Sequence, residues 1–521
     1  MMAKHHKVII QLIILNVFVA GSGFLKDILL AAYFGTGMTA ASFSIAYYLP
    51  DTLGNAMIGS ALLIATTTVF SGMQRERTVS QLAKFAKRIL WYVGVTTSIL
   101  TLMLFLARNA VMHAIIGHTV YFSFATNLLT IMIPLLLIYP LQYALSGFLQ
   151  SYQRFLLSSA TPVLVSGVVG VVTLVLLQQK LPVQEGAYAI AVAIPSTVLL
   201  YTLSLAIFWW LLIKRKLTQP EPTMIVTGKF DESKLLQTFA WFLLYLVITQ
   251  MIGFVERGVA ARMNSAMLAG LTYAFRVAQV PLWIFISAVT TWILPSLTQA
   301  LTVKDHLLAR NMLADGIKLS MLVSVPAEIL FVMLANPIVN VLFARGAFGA
   351  SSIWITASIL KGYALTIIPL SISGVLFRYY AADMKMGLAV MSAVVGAIVN
   401  IGFDIGFASK IGPIGIGLGS AIGNGLNMAL LVLILHRTTP EMVMSLRRVL
   451  QYFGRLLIPS FFTGVVAGLL LFFWNGRIAN HPFFDRAGWL LSAFVVWAMG
   501  YLLLLIAMRL VRIVKGRVII V

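Results

Sequence analysis

The sequence predicts an all-α polytopic membrane protein with about fourteen transmembrane helices, built as two pseudo-symmetric six-helix lobes followed by two C-terminal helices. Composition is the first reason, since 60% of the 521 residues are hydrophobic and only 10% are charged, a balance no soluble globular domain shows. The second is a succession of apolar runs, each long enough for the roughly 20 residues that a bilayer crossing needs. The third is an internal correspondence at an offset of about 230 residues, the kind of repeat on which transporter folds are built.

The apolar runs lie near 8–34, 41–72, 88–107, 120–150, 156–178, 186–213, 236–262, 266–300, 311–343, 352–380, 386–408, 413–436, 450–474 and 487–511. With the N-terminus inside, 26 of the 37 basic residues fall in connections on the N-terminal side of the membrane, seven fall on the opposite side and four fall within spans. The positive-inside rule therefore places both termini in the cytoplasm. The opening "KHHKVIIQLIILNVFVAGSG" has the basic start and apolar core of a signal peptide, but its hydrophobicity continues to Phe34, so a retained first span is expected.

The longest polar stretch, "KRKLTQPEPTMIVTGKFDESK", follows the sixth span. It divides the chain into an N-lobe at 1–213, a cytoplasmic linker at 214–235, a C-lobe at 236–438 and a C-terminal pair of helices with a basic tail at 439–521. Across that joint Lys26-Asp27 falls on Glu256-Arg257, Pro50 falls near Pro281, and "YQRF" around Arg154 falls near "ADMK" around Lys385. Six crossings per half keep the halves in the same orientation, related by an axis along the membrane normal.

Several function classes are excluded or disfavoured at this level. The chain has no cysteine, which removes disulfides, thiolate metal sites and thiol nucleophiles. A net charge of +22 suggests nucleic acid only until one finds no soluble basic domain to carry such binding. The seven histidines stand near span ends or in loops without metal-ligand spacing, and neither a Walker A nor a GxSxG site occurs, so no enzyme and no cofactor is expected. "GPIGIGLGSAIGNG" at 412–425 echoes a dinucleotide glycine pattern but follows no strand, and reads as close helix packing through small residues.

The intramembrane charges are Lys26, Asp27, Glu256, Arg257, Arg276, Glu328, Lys361 and Asp404. A charge at mid-bilayer costs about 2.5 kcal/mol or more, so such residues face a protein interior or a wet cavity. Neighbours on a helix point about 100° apart, so the doublets 26–27 and 256–257 are expected either to pair across helices or to aim one member into a cavity, rather than to neutralise themselves. Glu328 follows Pro326 near a span end, and Lys361 either snorkels to the surface or faces inward. Asn400 and Asp404, at i and i+4, place two oxygen side chains on one helix face, where they either hydrogen-bond between helices or meet a small alkali cation.

Taken together, "GFLKDILLAAYFGTGMTAASFSIAYYLP", "LQSYQRFLLSSATPVL", "VERGVAARM", "LTYAFRVAQVP", "ILPSL" and "YYAADMK" occur in an order and spacing that resemble the MurJ/MviN lipid II flippase family of the multidrug/oligosaccharidyl-lipid/polysaccharide exporter superfamily, over essentially the whole chain. The resemblance implies two six-helix lobes around a central cavity, with the last two helices helping to form a groove for a polyprenyl tail. It implies a flippase, not an enzyme, that moves a polyprenyl-pyrophosphate-linked peptidoglycan precursor to the outer leaflet of the bacterial cytoplasmic membrane by alternating access. Lys26 stands where the family has a cavity arginine, and Arg276 matches another. With Arg257 they form the expected substrate-binding cations, supported by Asp27, Glu256 and Lys361. Asn400, Asp404, Ser420 and Glu256 resemble a sodium site of some family members. The expected partners are the lipid-linked precursor and membrane lipids, with the chain acting as a monomer.

This chain departs from the family at Ala20 and Gly54, where arginines are common, and at Ala41, where an aspartate is common. The departures leave room for another lipid-linked polysaccharide as substrate, or for a non-transporting paralogue acting as a cell-wall assembly scaffold. A drug/cation antiporter of the superfamily is a further alternative, but it would carry acidic rather than basic cavity residues.

Overall fold

The computed structural model describes residues 21–73, 78–152, 154–158, 160–217, 232–282, 305–383, 385–442, 446–478, 483–508, 511–514 and 517–520, with isolated positions between 283 and 304. The start of the first expected span, Ala20, and most of the expected linker at 214–235 lie outside the described residues. By packing, the chain divides into two compact units, Met1–Gln250 and Met251–Val521.

The first unit opens with helix α1 at residues 21–34 and α2, Met38–Pro50. The backbone then widens to a π-helical segment, Asp51–Gly59, and resumes as α3, Ser60–Met73. Widening directly after Pro50 follows from chemistry, because proline has no N–H to continue the i→i−4 ladder and its ring crowds the preceding turn. Next come α4 (Val79–Ile116), α5 (Phe122–Met132), α6 (Leu135–Ser151), α7 (Thr161–Gln179) and α8 (Val183–Leu217). A reciprocal capping box starts α4: the Gln81 N–H donates to Thr78 Oγ1 at 3.3 Å and the Thr78 N–H donates to Gln81 Oε1 at 3.2 Å.

Helix α6 is the hub of this unit, lying against α3, α4, α8 and the π segment. The Phe70 and Phe148 rings meet at 4.6 Å between centroids, and Trp209 of α8 stands edge-on to Phe70 at 5.7 Å. By contrast α4 turns large side chains such as Trp91, Leu102 and Leu106 outward, with Leu106 72% exposed. An outer face this apolar is stable only against lipid.

In the second unit α9 (Glu232–Met263) begins in the first unit and carries Glu256. It is followed by α10 (Ser265–Pro281), α11 (His306–Phe343), α12 (Ala350–Ala364), α13 (Ile367–Ala382), α14 (Met386–Phe403), α15 (Pro413–Thr438), α16 (Leu446–Ile478) and α17 (Phe483–Ala507). A short π segment, Asp404–Ala408, extends α14. The basic tail forms a two-stranded antiparallel hairpin, β1 (Val511–Val514) with β2 (Arg517–Ile520), an element the sequence reading does not contain.

Among the described residues nine helices are long and apolar enough to cross a membrane, or ten if α12 and α13, bent by 40° at their junction, count as one span. The protein is thus a multi-pass helical membrane protein. The expected fourteen apolar runs all contain helix where described, but length and apolarity alone do not reach fourteen crossings: the π segment divides the second run, and the eighth is described only in part.

Lipid supplies no hydrophobic force between helices, so packing rests on close approach and shared polar contacts. The glycines of α15 provide the approach. A Cβ added at Gly417 would sit 2.4 Å from the Tyr363 backbone nitrogen, and one at Gly423 would sit 2.6 Å from the Gly396 carbonyl oxygen. Hydroxyls pin the rest: Tyr380 Oη donates to the Leu431 carbonyl at 2.8 Å, and Tyr501 Oη donates to the Leu322 carbonyl at 2.9 Å. The small-residue reading of 412–425 is what the structure contains.

We expect Gly417→Leu to cost about 1–3 kcal/mol through overpacking, measured as a lower Tm of the detergent-solubilised protein. Gly425→Ala, which meets nothing within 4 Å, should leave the Tm unchanged or raise it. Equal behaviour of the two variants would contradict the close contact at Gly417.

Candidate functional site

The second unit gathers a buried polar cluster from four helical segments. Glu256, on α9, is 3% exposed, Asn400 and Asp404 are each 1% exposed, and Ser420, on α15, is 6% exposed. Tyr363 Oη donates to Glu256 Oε2 at 2.7 Å, Ser420 Oγ donates to Glu256 Oε1, and Asn400 Nδ2 donates to Ser420 Oγ at 3.3 Å. All four residues expected from the sequence for a cation site are brought together. The i, i+4 spacing of Asn400 and Asp404 operates as anticipated, and the glycine face of α15 lets Ser420 reach them.

The donor set has a specific gap in its pairing. Asn400 Oδ1 and both carboxylate oxygens of Asp404 are buried without a hydrogen-bond partner. A buried unsatisfied polar atom costs about 1–3 kcal/mol, and more if charged, so these three oxygens call for a bound proton or cation to satisfy them. Gly419 is what lets them approach α15, since a Cβ there would lie 2.1 Å from Asp404 Oδ1 and 3.2 Å from Asn400 Oδ1. Carboxylate and carbonyl oxygens are hard ligands suited to hard cations, so these residues fit an alkali ion.

Among the expected substrate cations, the structure corrects one argument. Lys26 Nζ lies 2.6 Å from Asp27 Oδ1, so this adjacent pair does neutralise itself. The long lysine stem bridges the angle between neighbouring Cβ directions that a shorter side chain would not. Asp27 is the more buried partner at 7% exposure. Arg257 is buried at 8%, and its Nη1 donates to the Gly253 carbonyl one turn back at 3.1 Å. Arg276, on α10, and Lys361, on α12, are half-buried. Lys361 makes no ion pair among the described residues.

Two other acids have clear roles. Glu328 is not merely near a span end, because its Oε2 accepts from the Ile368 N–H at 3.0 Å and so caps α13 at the bend between α12 and α13. Asp51 is a further intramembrane charge, which the apolar runs alone do not single out. Its Oδ1 accepts from Asn55 Nδ2 at 2.9 Å and from Tyr47 Oη at 3.2 Å, while Tyr143 Oη donates to Asn55 Oδ1 at 2.5 Å. The signal was present as the i, i+4, i+8 series Tyr47, Asp51, Asn55. Outside the spans, the Asp383 carboxylate, 2.7 Å from the Lys385 ammonium, raises the lysine pKa above its ordinary value.

The departures at 54 and 41 have a packing reason. A Cβ at Gly54 would meet the Leu135 carbonyl oxygen and the Leu136 Cα at 3.2 Å each, so α6 occupies the space an arginine would need. Ala41 is fully buried at 0% exposure, where an aspartate would have to give up its hydration.

Removing the hydroxyl in Tyr363→Phe should lower stability by about 1–3 kcal/mol. In a double-mutant cycle with Glu256→Gln, read by thermal unfolding, the two losses should be less than additive. Strict additivity would mean that the 2.7 Å contact carries no energy.

Comparison with known proteins agrees with this architecture. The family model "Lipid II flippase MurJ" matches residues 30–486. A relative from Rickettsia prowazekii (strain Madrid E), named "Probable lipid II flippase MurJ", is 23% identical over 416 residues, covering 78% of this chain and 79% of its own. The fold is similar to a solved structure described as "Lipid II flippase MurJ, inward closed conformation", with a TM-score of 0.75 at 19% identity over 95% of this chain and 98% of that one. It is also similar to an inward-facing multidrug resistance MATE family transporter of the MOP superfamily, with a TM-score of 0.67 at 13% identity over 82% of this chain and 98% of that one. With the family model spanning most of its length, the chain belongs to the lipid II flippase MurJ family.

Proposed function

We propose that this protein flips a lipid II-like, polyprenyl-pyrophosphate-linked precursor from the inner to the outer leaflet of the bacterial cytoplasmic membrane, for peptidoglycan biosynthesis. The observation that carries the proposal is the family match across residues 30–486. The intramembrane charges suit it. A pyrophosphate is met best by cations through charge-assisted bonds, and Lys26, Arg257 and Arg276 are the residues we assign to that contact. No covalent step is required, the chain acts as a monomer, and both termini lie in the cytoplasm by the distribution of basic residues.

Energy for export comes from the membrane potential. Moving an anion outward across an inside-negative membrane releases roughly 2.3 kcal/mol per charge per 100 mV. Asn400, Asp404, Ser420 and Glu256 would hold a sodium ion, whose charge offsets the orphan carboxylate of Asp404. On α14 and α15 the chain's own part is to hold Asp404 Oδ1 and Asn400 Oδ1 together against Gly419. A sodium ion held there would, by moving inward, assist the return of the empty carrier.

Complementation tests the substrate assignment. A bacterium depleted of its own lipid II flippase should grow with this protein as the only replacement. Arg276→Ala and Lys26→Ala should abolish rescue, while Lys26→Arg should preserve it. No growth despite confirmed membrane expression would overturn the peptidoglycan assignment.

Sodium binding is read separately, as a sodium-specific rise in Tm that potassium does not give. The rise should disappear in Asp404→Asn and in Gly419→Ala. A wild-type Tm indifferent to sodium would remove the ion from the proposal and leave the potential as the driving force.

A further inference from the structure

We propose that the crevice between α11 and α16 binds the phosphate headgroup of an anionic membrane phospholipid. This goes beyond the flippase reading and does not rest on it.

The crevice encloses about 680 Å³, within the range of roughly 300–1,000 Å³ common for small-molecule sites. Helical spacing builds both of its walls. On α11, Asn311, Asp315 and Lys318 follow at i, i+4 and i+7 with Arg310 beside them, and on α16 Arg448, Tyr452 and Arg455 have the same spacing. Four cations therefore line the crevice against one carboxylate. None of the four is in an ion pair among the described residues, so their charge is available to a ligand. The hydroxyl of Tyr452, in a residue 7% exposed, is also buried without a hydrogen-bond partner.

Phosphate chemistry suits such a set, because arginine presents paired donors to phosphate oxygens. Position favours a lipid over a soluble anion. The cationic stripe lies at the N-terminal ends of two spanning helices, the face that the distribution of basic residues assigns to the cytoplasm. Basic pockets between transmembrane helices on that face bind lipid headgroups.

The same face of α16 continues from Arg455 into Ile458, Phe462 and Leu469, which are 66%, 60% and 51% exposed. A charged rim running directly into an outward apolar strip matches an amphiphile, headgroup at the crevice and acyl chains along the helix. Free phosphate would have no use for that strip.

The test uses the full-length protein in nanodiscs of phosphatidylcholine, with or without phosphatidylglycerol. Native mass spectrometry counts lipid retained after release from the disc. Phosphatidylglycerol should be retained selectively. Arg448→Gln with Arg455→Gln should weaken that retention roughly 30-fold, at about fivefold per arginine. If the double variant fails to fold, Lys318→Gln alone should give about a fivefold loss.

Ile458→Gln with Phe462→Gln should also reduce phosphatidylglycerol retention. Retention unchanged by the arginine or lysine substitutions would overturn the site. Stabilisation of the protein in pure phosphatidylcholine discs by inorganic phosphate, equal to that by phosphatidylglycerol, would assign a free anion and overturn the lipid. Binding is measured without transport, so failure here and failure of the flippase reading remain distinguishable.

Discussion

The close approach of α12, α14 and α15 is the constraint on which the second unit depends. Gly362 and Gly417 bring α12 and α15 together almost backbone to backbone, and Gly396 and Gly423 do the same for α14 and α15. Where lipid offers no hydrophobic drive between helices, this contact is the source of attraction. It is also the reason that Glu256, Tyr363, Asn400, Asp404 and Ser420 meet at all. With one larger residue in that seam, the polar side chains would lie too far apart to satisfy one another, and each would be a buried cost in its own right. Packing and the convergence of the polar cluster therefore have one cause.

Polarity in the first unit is arranged differently. Asp51 is held by hydroxyl and amide donors, with Tyr143 reaching across from α6 to complete the chain through Asn55. Lys26 and Asp27 close on each other. Hydrogen bonding and local pairing thus carry these charges without a convergence of orphan oxygens like that around Asp404. The two units resolve the same problem of charge at membrane depth by separate chemistry.

Much of this was legible in the sequence because membrane proteins obey few and strong rules. The apolar runs gave the helices, the glycine run at 412–425 gave the tight seam, and the spacing of Asn400 and Asp404 gave two members of the polar cluster. Illegible parts involve contacts that no periodicity records. Tyr363 joins Glu256 across 107 positions of chain. The lysine stem at 26 overrides the simple argument from Cβ directions. Gly54 is glycine because α6 presses on it, a fact of the tertiary structure. Asp51 is readable from its i, i+4 partners Tyr47 and Asn55, but the apolar run 41–72 around it carries no other sign of a polar network.

The π-helical segment Asp51–Gly59 has a consequence for how this chain can change. Each i→i+5 turn takes up one residue more than an α-turn, so the side-chain faces of α2 do not run straight on into α3. In a helix, adding or removing a residue is a rotation. A widened turn absorbs that rotation: loss of one residue here would return the segment to α geometry and leave α3 facing nearly as it does now, whereas the same loss in the regular part of α2 or α3 would turn everything beyond it by about 100°. The span thus has one place where its length can change by a residue without re-aiming the half that follows.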